Sequence, residues 1–326
     1  FAGCNRGKES IKIDLKTEAG QAVIRDMASQ ADVVIHNFRP GTMDTLNLGC
    51  DALRAINPRL IYMAISGFGT EGPLRRAPAY DPIIQAHSGM AATQGGDDSP
   101  AFIRSLLCDK ITAYTACQAV TSALFARERS GEGQLIDLSM LDSGLFFMFP
   151  DGFQNHALLD EDAIPGGMLI DILYDLTLTK DGGITVAAAN QEMQGRMLKA
   201  IGLLHLLGDE RFSTMQKLVE NLHIFRGLVA EKCLEYTSDE LLALLREVEV
   251  PCAKCLSRDE VLAQEQLSAN DSIAEVDHPH LGTLRVVKAP PRFGGERLEP
   301  SRPVPAHGEH TDAVLADFGL DSQRIN

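Results

Sequence analysis

Between residues 10 and 70 the sequence alternates short, continuous apolar runs with amphipathic stretches, and this alternation is the strongest constraint on its fold. Residues 11–15, 33–36 and 60–66 read as strands, the last two as the unbroken apolar runs of a parallel sheet buried on both faces. Residues 19–31 read as a helix entered through Thr17-Glu-Ala-Gly20, and a second helical stretch separates the later two strands. The turn-rich segment Gly67-Phe-Gly-Thr-Glu-Gly-Pro73 closes the unit. Strand and helix in alternation predict a Rossmann-like α/β layer.

Residues 81–92 and 109–129 read as helices, the second small-residue rich and expected to be buried. Gly131-Glu-Gly-Gln134 breaks it, residues 135–140 resume as a strand, and residues 143–149 form a further apolar run. After Pro165-Gly166-Gly167 the texture changes. Strand-like residues 173–179 and 184–189 flank Lys180-Asp-Gly-Gly183, a strong hairpin signal. Helices are predicted over 191–202, 215–233 and 238–247, then an extended stretch 251–256 and a helix from Ser257. The tail 278–305 reads as extended, and 311–318 as a short helix stopped by Gly319. The expected organisation is a large Rossmann-like domain over 1–165, a small α+β domain over 166–275, and a return to the large domain over 276–326.

The charge balance narrows the partners. With 45 acidic against 30 basic residues the net charge is −15, which argues against a nucleic acid or an anionic membrane surface, so an anionic ligand needs a local basic pocket. No apolar run approaches the roughly 18 residues of a membrane span, no signal-peptide pattern opens the sequence, and the expected location is cytoplasmic. The seven cysteines are scattered, and reduced thiols are expected. Cys252-Ala-Lys-Cys255 has CxxC spacing but lacks a second ligand pair, so neither redox nor zinc chemistry is expected there. The sequence begins with Phe1, and no hydrophobic unit precedes its first strand-like segment, which is the pattern of a fragment.

Three places can carry chemistry. Asp109 lies between the apolar residues 103–108 and the long helix, where it reads first as an N-cap and also as a carboxylate nucleophile aimed at a carbonyl, two roles that can hold at once. Tyr80-Asp81-Pro82 enters a helix after the basic, proline-rich residues 73–78, and serves either as a cap or as a polar pair orienting a substrate. Asn37-Phe38-Arg39 follows the strand 33–36 at its carboxyl end, where open α/β sheets bind ligands, and Lys16 can add positive charge. GxGxxG, P-loop, HExxH and GxSxG patterns are absent, and His310 reads as structural.

A family resemblance rests on four segments: Asn5-Arg-Gly-Lys-Glu-Ser-Ile-Lys-Ile-Asp-Leu-Lys16, Ala31-Asp-Val-Val-Ile-His-Asn-Phe-Arg-Pro-Gly41, Ala79-Tyr-Asp-Pro-Ile-Ile-Gln-Ala-His-Ser-Gly89 and Gly131-Glu-Gly-Gln-Leu-Ile-Asp-Leu-Ser-Met140. Together they closely resemble family III CoA-transferases, and the likeness continues through Lys180-Asp-Gly182, Val250-Pro-Cys252 and Gly308-Glu-His-Thr-Asp312. The resemblance implies an interlocked homodimer of subunits with a split Rossmann-like large domain and a smaller α+β domain. It implies an enzyme that moves CoA between an acyl-CoA and a carboxylic acid, with coenzyme A as substrate and no tightly bound cofactor or metal. Asp109 matches the nucleophilic aspartate, Tyr80 and Asp81 match active-site residues, and Ile13, Asp14, Leu15 and Lys16 with Asn37, Phe38 and Arg39 match CoA-contacting segments.

The sequence also departs from the family. Members carry a further strand, helix and strand ahead of the position matching Phe1. A basic residue of formyl-CoA transferase falls on Thr45, a lysine two before the tyrosine falls on Pro78, and Gly166-Gly167 is the nearest candidate for a glycine-rich loop. Two alternatives stand beside the transferase reading. A racemase of the same superfamily uses a histidine directly before the acidic residue, where this chain has Tyr80, whose phenol with an ordinary pKa of about 10 is a poor base at neutral pH. The other is a truncated paralogue that dimerises without turnover.

Overall fold

The computed structural model describes residues 1–160, 176–188, 190–300 and 302–321. They form two compact units, one of Phe1–Phe153 with the chain from Ser272 onward, the other of described residues within Gln154–Asp271. The expected boundary at 165/166 and Gly166-Gly167 lie outside the described residues, as do the first residues of the strand expected over 173–179. The expected boundary at 275/276 falls inside a strand, and the chain changes unit before Ser272 instead.

In the first unit α1 (Glu18–Ala28), β1 (Val33–His36), α2 (Thr42–Thr45), α3 (Cys50–Ile56) and β2 (Ile61–Ser66) follow the predicted alternation. Thr17 caps α1 by accepting from the Gly20 amide. After β2 come α4 (Asp81–His87), α5 (Met90–Gly95), α6 (Leu107–Ser130), β3 (Leu135–Ser139) and α7 (Met140–Gly152). The three strands form one parallel sheet ordered β1-β2-β3, with Val33 beside Ile61 and Tyr62 beside Leu135. The fold is therefore mixed α/β around a parallel sheet. One core cluster packs Ala28, Leu48, Leu53, Leu60 and Tyr62, and the buried Tyr62 hydroxyl donates to the Leu48 carbonyl at 3.1 Å. A second gathers Ile84, Met90, Cys108 and Ile111 and so joins α4 to α6.

Three expectations are corrected. Residues 11–15 form no ladder among the described residues: Ser10 and Lys12 donate their amides to His310 Nδ1 at 3.2 Å and Thr311 Oγ1 at 3.0 Å, so side chains of the last helix's entry take the place of a neighbouring strand. The helix expected over 81–92 breaks at Gly89, whose φ of 79° is left-handed and ends α4. The long helix α6 is only half buried. Cys108, Ile111, Thr112, Ala116, Ala123 and Arg127 recur on its inner face, while Tyr114 and Phe125 stay 73% and 59% exposed, so small-residue content marked a close-packed face rather than full burial.

The described part of the second unit holds a three-stranded antiparallel sheet, β4 (Thr177–Leu178), β5 (Gly183–Val186) and β6 (Cys252–Lys254), in the order β4-β5-β6. Its core includes Ile184, Leu198, Leu241 and Leu245, and the helix Ser238–Glu247 carries a full capping box between Thr237 and Glu240. The residues expected to be one helix over 215–233 form two, Met215–Glu220 and Leu222–Cys233. Back in the first unit, the tail is more regular than expected: β7 (Ile273–His278) and β8 (Gly282–Val287) make an antiparallel hairpin, and the helix Thr311–Asp317 ends at Gly319, whose φ is 72°.

Candidate active site

The ends of β1 and β2 and the starts of α4 and α6 enclose a cavity of about 760 Å³. Its lining includes Asn37, Phe38, Arg39, Tyr80, Asp81 and Asp109, which come from three separate stretches of chain. A pocket at the carboxyl ends of parallel strands is where this architecture leaves backbone and side chains free for ligands.

Asp109 sits in the first turn of α6 rather than at its cap, which is Leu106. Its backbone N–H donates to Asp81 Oδ2 at 3.0 Å, and Gln85 Nε2 donates to the other oxygen, Oδ1, at 2.6 Å. Asp81 is therefore an external cap on α6 supplied by α4. It is 3% exposed, a depth at which an unbonded carboxylate is costly, and both its oxygens are engaged. Gln85 anchors this contact: it also donates to the Ile103 and Ser105 carbonyls and accepts from the Ile103 amide, pinning the segment that leads into α6. The sequence reading did not single out Gln85, although its i,i+4 spacing from Asp81 on one helix was the available signal.

The Asp109 carboxyl is left open to the cavity. Loss of surrounding water, and then repulsion by Asp81, hold its pKa above the usual aspartate range, opposed by Lys110. Next to it the fully buried Cys108 thiol is pushed up to about 11, first by burial and then by the same two carboxylates, so it stays protonated at neutral pH and does not compete as a nucleophile. Leu107 donates its amide to the Ser105 carbonyl. With the Asp109 amide also taken, the start of α6 has fewer N–H groups to offer an oxyanion than its position implied.

Tyr80, the N-cap position of α4, makes no capping bond through its side chain, and its ring is 75% exposed. Phe38 stacks on His36 at 5.9 Å, and its amide donates to His36 Nδ1 at 3.2 Å, which shapes the loop that carries Asn37 and Arg39. Burial lowers the His36 pKa, against the pull of Asp44 and Asp137. Ile13, Asp14, Leu15 and Lys16 do not line the cavity. They form a turn in which Asp14 Oδ1 accepts from the Lys16 amide, fixed against α1 where Gly20 approaches so closely that an added Cβ would stand 2.1 Å from the Asp14 carbonyl oxygen. Thr45 ends α2, Pro78 lines the cavity, and so does Arg75, which the sequence reading quoted only within a basic stretch.

Elsewhere, Cys252 opens β6 and Cys255 follows its last residue, and both thiols are free. Among the described residues no group of three or more His, Cys, Asp or Glu is placed to hold a metal ion, and no helix is long and apolar enough to cross a membrane.

A carboxylate in the first turn of α6 faces a cavity that Arg39 and Arg75 also line, an arrangement suited to anionic ligands. The chain belongs to CoA-transferase family III, whose model matches residues 1–311. It is 32% identical over 319 residues to succinyl-CoA:D-citramalate CoA-transferase of Chloroflexus aurantiacus, covering 96% of this chain and 79% of that protein. It is 31% identical over 321 residues to succinate:glutarate CoA-transferase of Agrobacterium fabrum, covering 98% and 80%. Among solved structures a CAIB/BAIF family protein from Brucella suis superposes with a TM-score of 0.82 at 31% identity, over 97% of this chain and 83% of the other. The protein is thus an acyl-CoA:carboxylate CoA-transferase with CoA as a substrate.

Proposed function

We propose that Asp109 is the covalent nucleophile of this transfer. Its carboxylate oxygen attacks the thioester carbonyl carbon of the donor, the C–S bond breaks, and CoA leaves as thiolate from an acyl-aspartyl anhydride. The thiolate then attacks the Asp109 carboxyl carbon, releasing the donor acid and leaving an aspartyl-CoA thioester. The acceptor carboxylate attacks that same carbon and expels CoA thiolate, which attacks the acyl carbonyl of the new anhydride. Acyl-CoA departs and the Asp109 carboxylate is restored.

The observation that carries this reading is the division of labour between two aspartates: Asp81 spends both oxygens on α6 and Gln85, while Asp109 faces the cavity with its pKa raised. A more basic carboxylate is a stronger nucleophile once ionised. Asp81 acts as a positioning residue, and the exposed Tyr80 phenol stands ready to orient the reacting carboxylate. Asn37, Phe38 and Arg39 hold CoA at the cavity, with Ile13, Asp14, Leu15 and Lys16 extending that contact along the surface. The residue directly before Asp81 on the cavity wall is the exposed Tyr80, a poor base at neutral pH, which favours the transferase reading over the racemase.

We also infer the family's assembly for this chain, a split Rossmann-like large domain in an interlocked homodimer. Tyr114, Phe125, Phe146 and Phe147 on α6 and α7 are all more than half exposed, and a second copy would cover them. Trapping tests the mechanism: protein incubated with a panel of acyl-CoAs and hydroxylamine should carry a hydroxamate on the peptide bearing Asp109, and Asp109→Ala should carry none. No modification of the wild type by any acyl-CoA would sink the proposal.

A further inference from the structure

Arg75 is five residues before Tyr80, on a wall of the cavity that continues, with residue 76 skipped, from Ala77 to Pro82. Two turns and one close contact position that wall. The Arg75 amide donates to the Gly72 carbonyl and the Ala77 amide to the Leu74 carbonyl, so overlapping turns fix the backbone on both sides of the arginine. At its far end Ala79 packs against the end of β2, where a Cβ on Gly67 would lie 2.1 Å from the Ala79 Cβ.

The Arg75 guanidinium is exposed and makes no ion pair or side-chain hydrogen bond among the described contacts of the protein. The shift of the Asp109 proton affinity comes from burial, then Asp81, opposed by Lys110. In a chain of net charge −15, a guanidinium left free on the wall of a cavity that also holds two aspartates is available to a ligand anion.

We infer that Arg75 is the specificity-determining residue for the acid, and that it holds the distal carboxylate of a short dicarboxylate while the other carboxylate reacts at Asp109. This rests on the transferase reading above. The reacting carboxylate loses its charge as it enters the anhydride, so a permanent cation gives it little lasting stabilisation. The distal carboxylate keeps its charge through every step and can stay paired throughout. Arg75 shares its segment with Tyr80, the residue assigned to the reacting acid, whereas Arg39 comes from the loop after β1 assigned to CoA.

The test compares wild type, Arg75→Gln and Arg75→Lys with one acyl-CoA donor and two acceptors, glutarate and butyrate, with hydroxylamine trapping at Asp109 run on the same preparations. The expected wild-type preference for glutarate in kcat/KM falls about 10- to 100-fold in Arg75→Gln, as for a lost hydrogen-bonded charge pair, and Arg75→Lys recovers part of it. A preference that is absent in the wild type, or unchanged in Arg75→Gln, overturns the inference. If an unchanged preference is joined by a raised KM for acyl-CoA, Arg75 serves a CoA phosphate instead. Trapping separates the two levels of argument: no trapped Asp109 in the wild type overturns the transferase mechanism together with this inference, whereas trapping without acid preference overturns the inference alone.

Discussion

Asp81→Asn should weaken the fold and make the neighbouring Asp109 carboxyl more acidic at the same time. In the native site one carboxylate oxygen accepts from the Asp109 amide at 3.0 Å and the other from Gln85 Nε2 at 2.6 Å. An asparagine amide can accept only one of these donors, and its NH₂ then faces the other. The site loses one charge-assisted bond outright and weakens the second, and a buried donor is left facing a donor, for a total of about 2–4 kcal/mol. That is a sizeable share of the roughly 5–15 kcal/mol that keeps a domain folded. The electrostatic change has the opposite sign. Asp109 has a folded pKa raised first by burial and then by Asp81, so its ionised form costs stability above that pKa, and the cost disappears as pH falls through it. Removing the Asp81 charge lowers the Asp109 pKa and relieves part of that cost. Urea unfolding at neutral pH measures the net loss of stability, and the pH profile of hydroxylamine-trapped Asp109 measures the shift. The acid limb should move to lower pH in Asp81→Asn. A variant as stable as wild type whose acid limb stays in place would refute both the cap and the repulsion.

Further predictions follow from the same contacts. Asp109→Asn should lower CoA transfer by at least ~10³-fold, as loss of a covalent nucleophile does, while leaving the melting temperature close to wild type, because the Asp81 bond is to the backbone amide that asparagine keeps. Gly20→Ala would put a methyl carbon 2.1 Å from the Asp14 carbonyl oxygen, so the turn at residues 13–16 must shift, and the KM for acyl-CoA should rise several-fold with Asp109 still trapped. Arg127 is 7% exposed and donates to Asp32 Oδ1 at 2.7 Å and to the Arg59 carbonyl at 3.2 Å, tying the end of α6 to the entries of β1 and β2. Arg127→Met should cost about 1–3 kcal/mol in urea unfolding, the lower figures reflecting the solvent around Asp32.

What the sequence made legible follows the range of the forces involved. β1, β2 and β3 fall within a residue or two of their expected positions because their apolar patterns, continuous in β1 and β2 and alternating in β3, are written locally, although only the first half of the central β2 is buried on both faces and Ile35 of β1 stays more than half exposed. The helix Ser238–Glu247 was readable to the residue because its capping box is a four-residue signal. Segment 11–15 alternates apolar and polar residues, but a strand needs a ladder partner, and here the amides of Ser10 and Lys12 go to His310 and Thr311, some 300 residues away in sequence. No local pattern carries that information. The site divides in the same way. Asp109 was legible as a carboxylate at a helix start, and both readings of it, cap and nucleophile, turned on which group satisfied the helix's amides. The answer lies 28 residues back: Asp81 is the cap, held by Gln85, so Asp109 has no capping duty and its carboxyl is free to face the cavity. Asp81 takes the cap from another helix because α4 and α6 pack through Ile84, Cys108 and Ile111, and that packing brings a buried carboxylate to the first turn of α6. One contact between helices therefore decides which aspartate is tied into the structure and which is left facing the cavity.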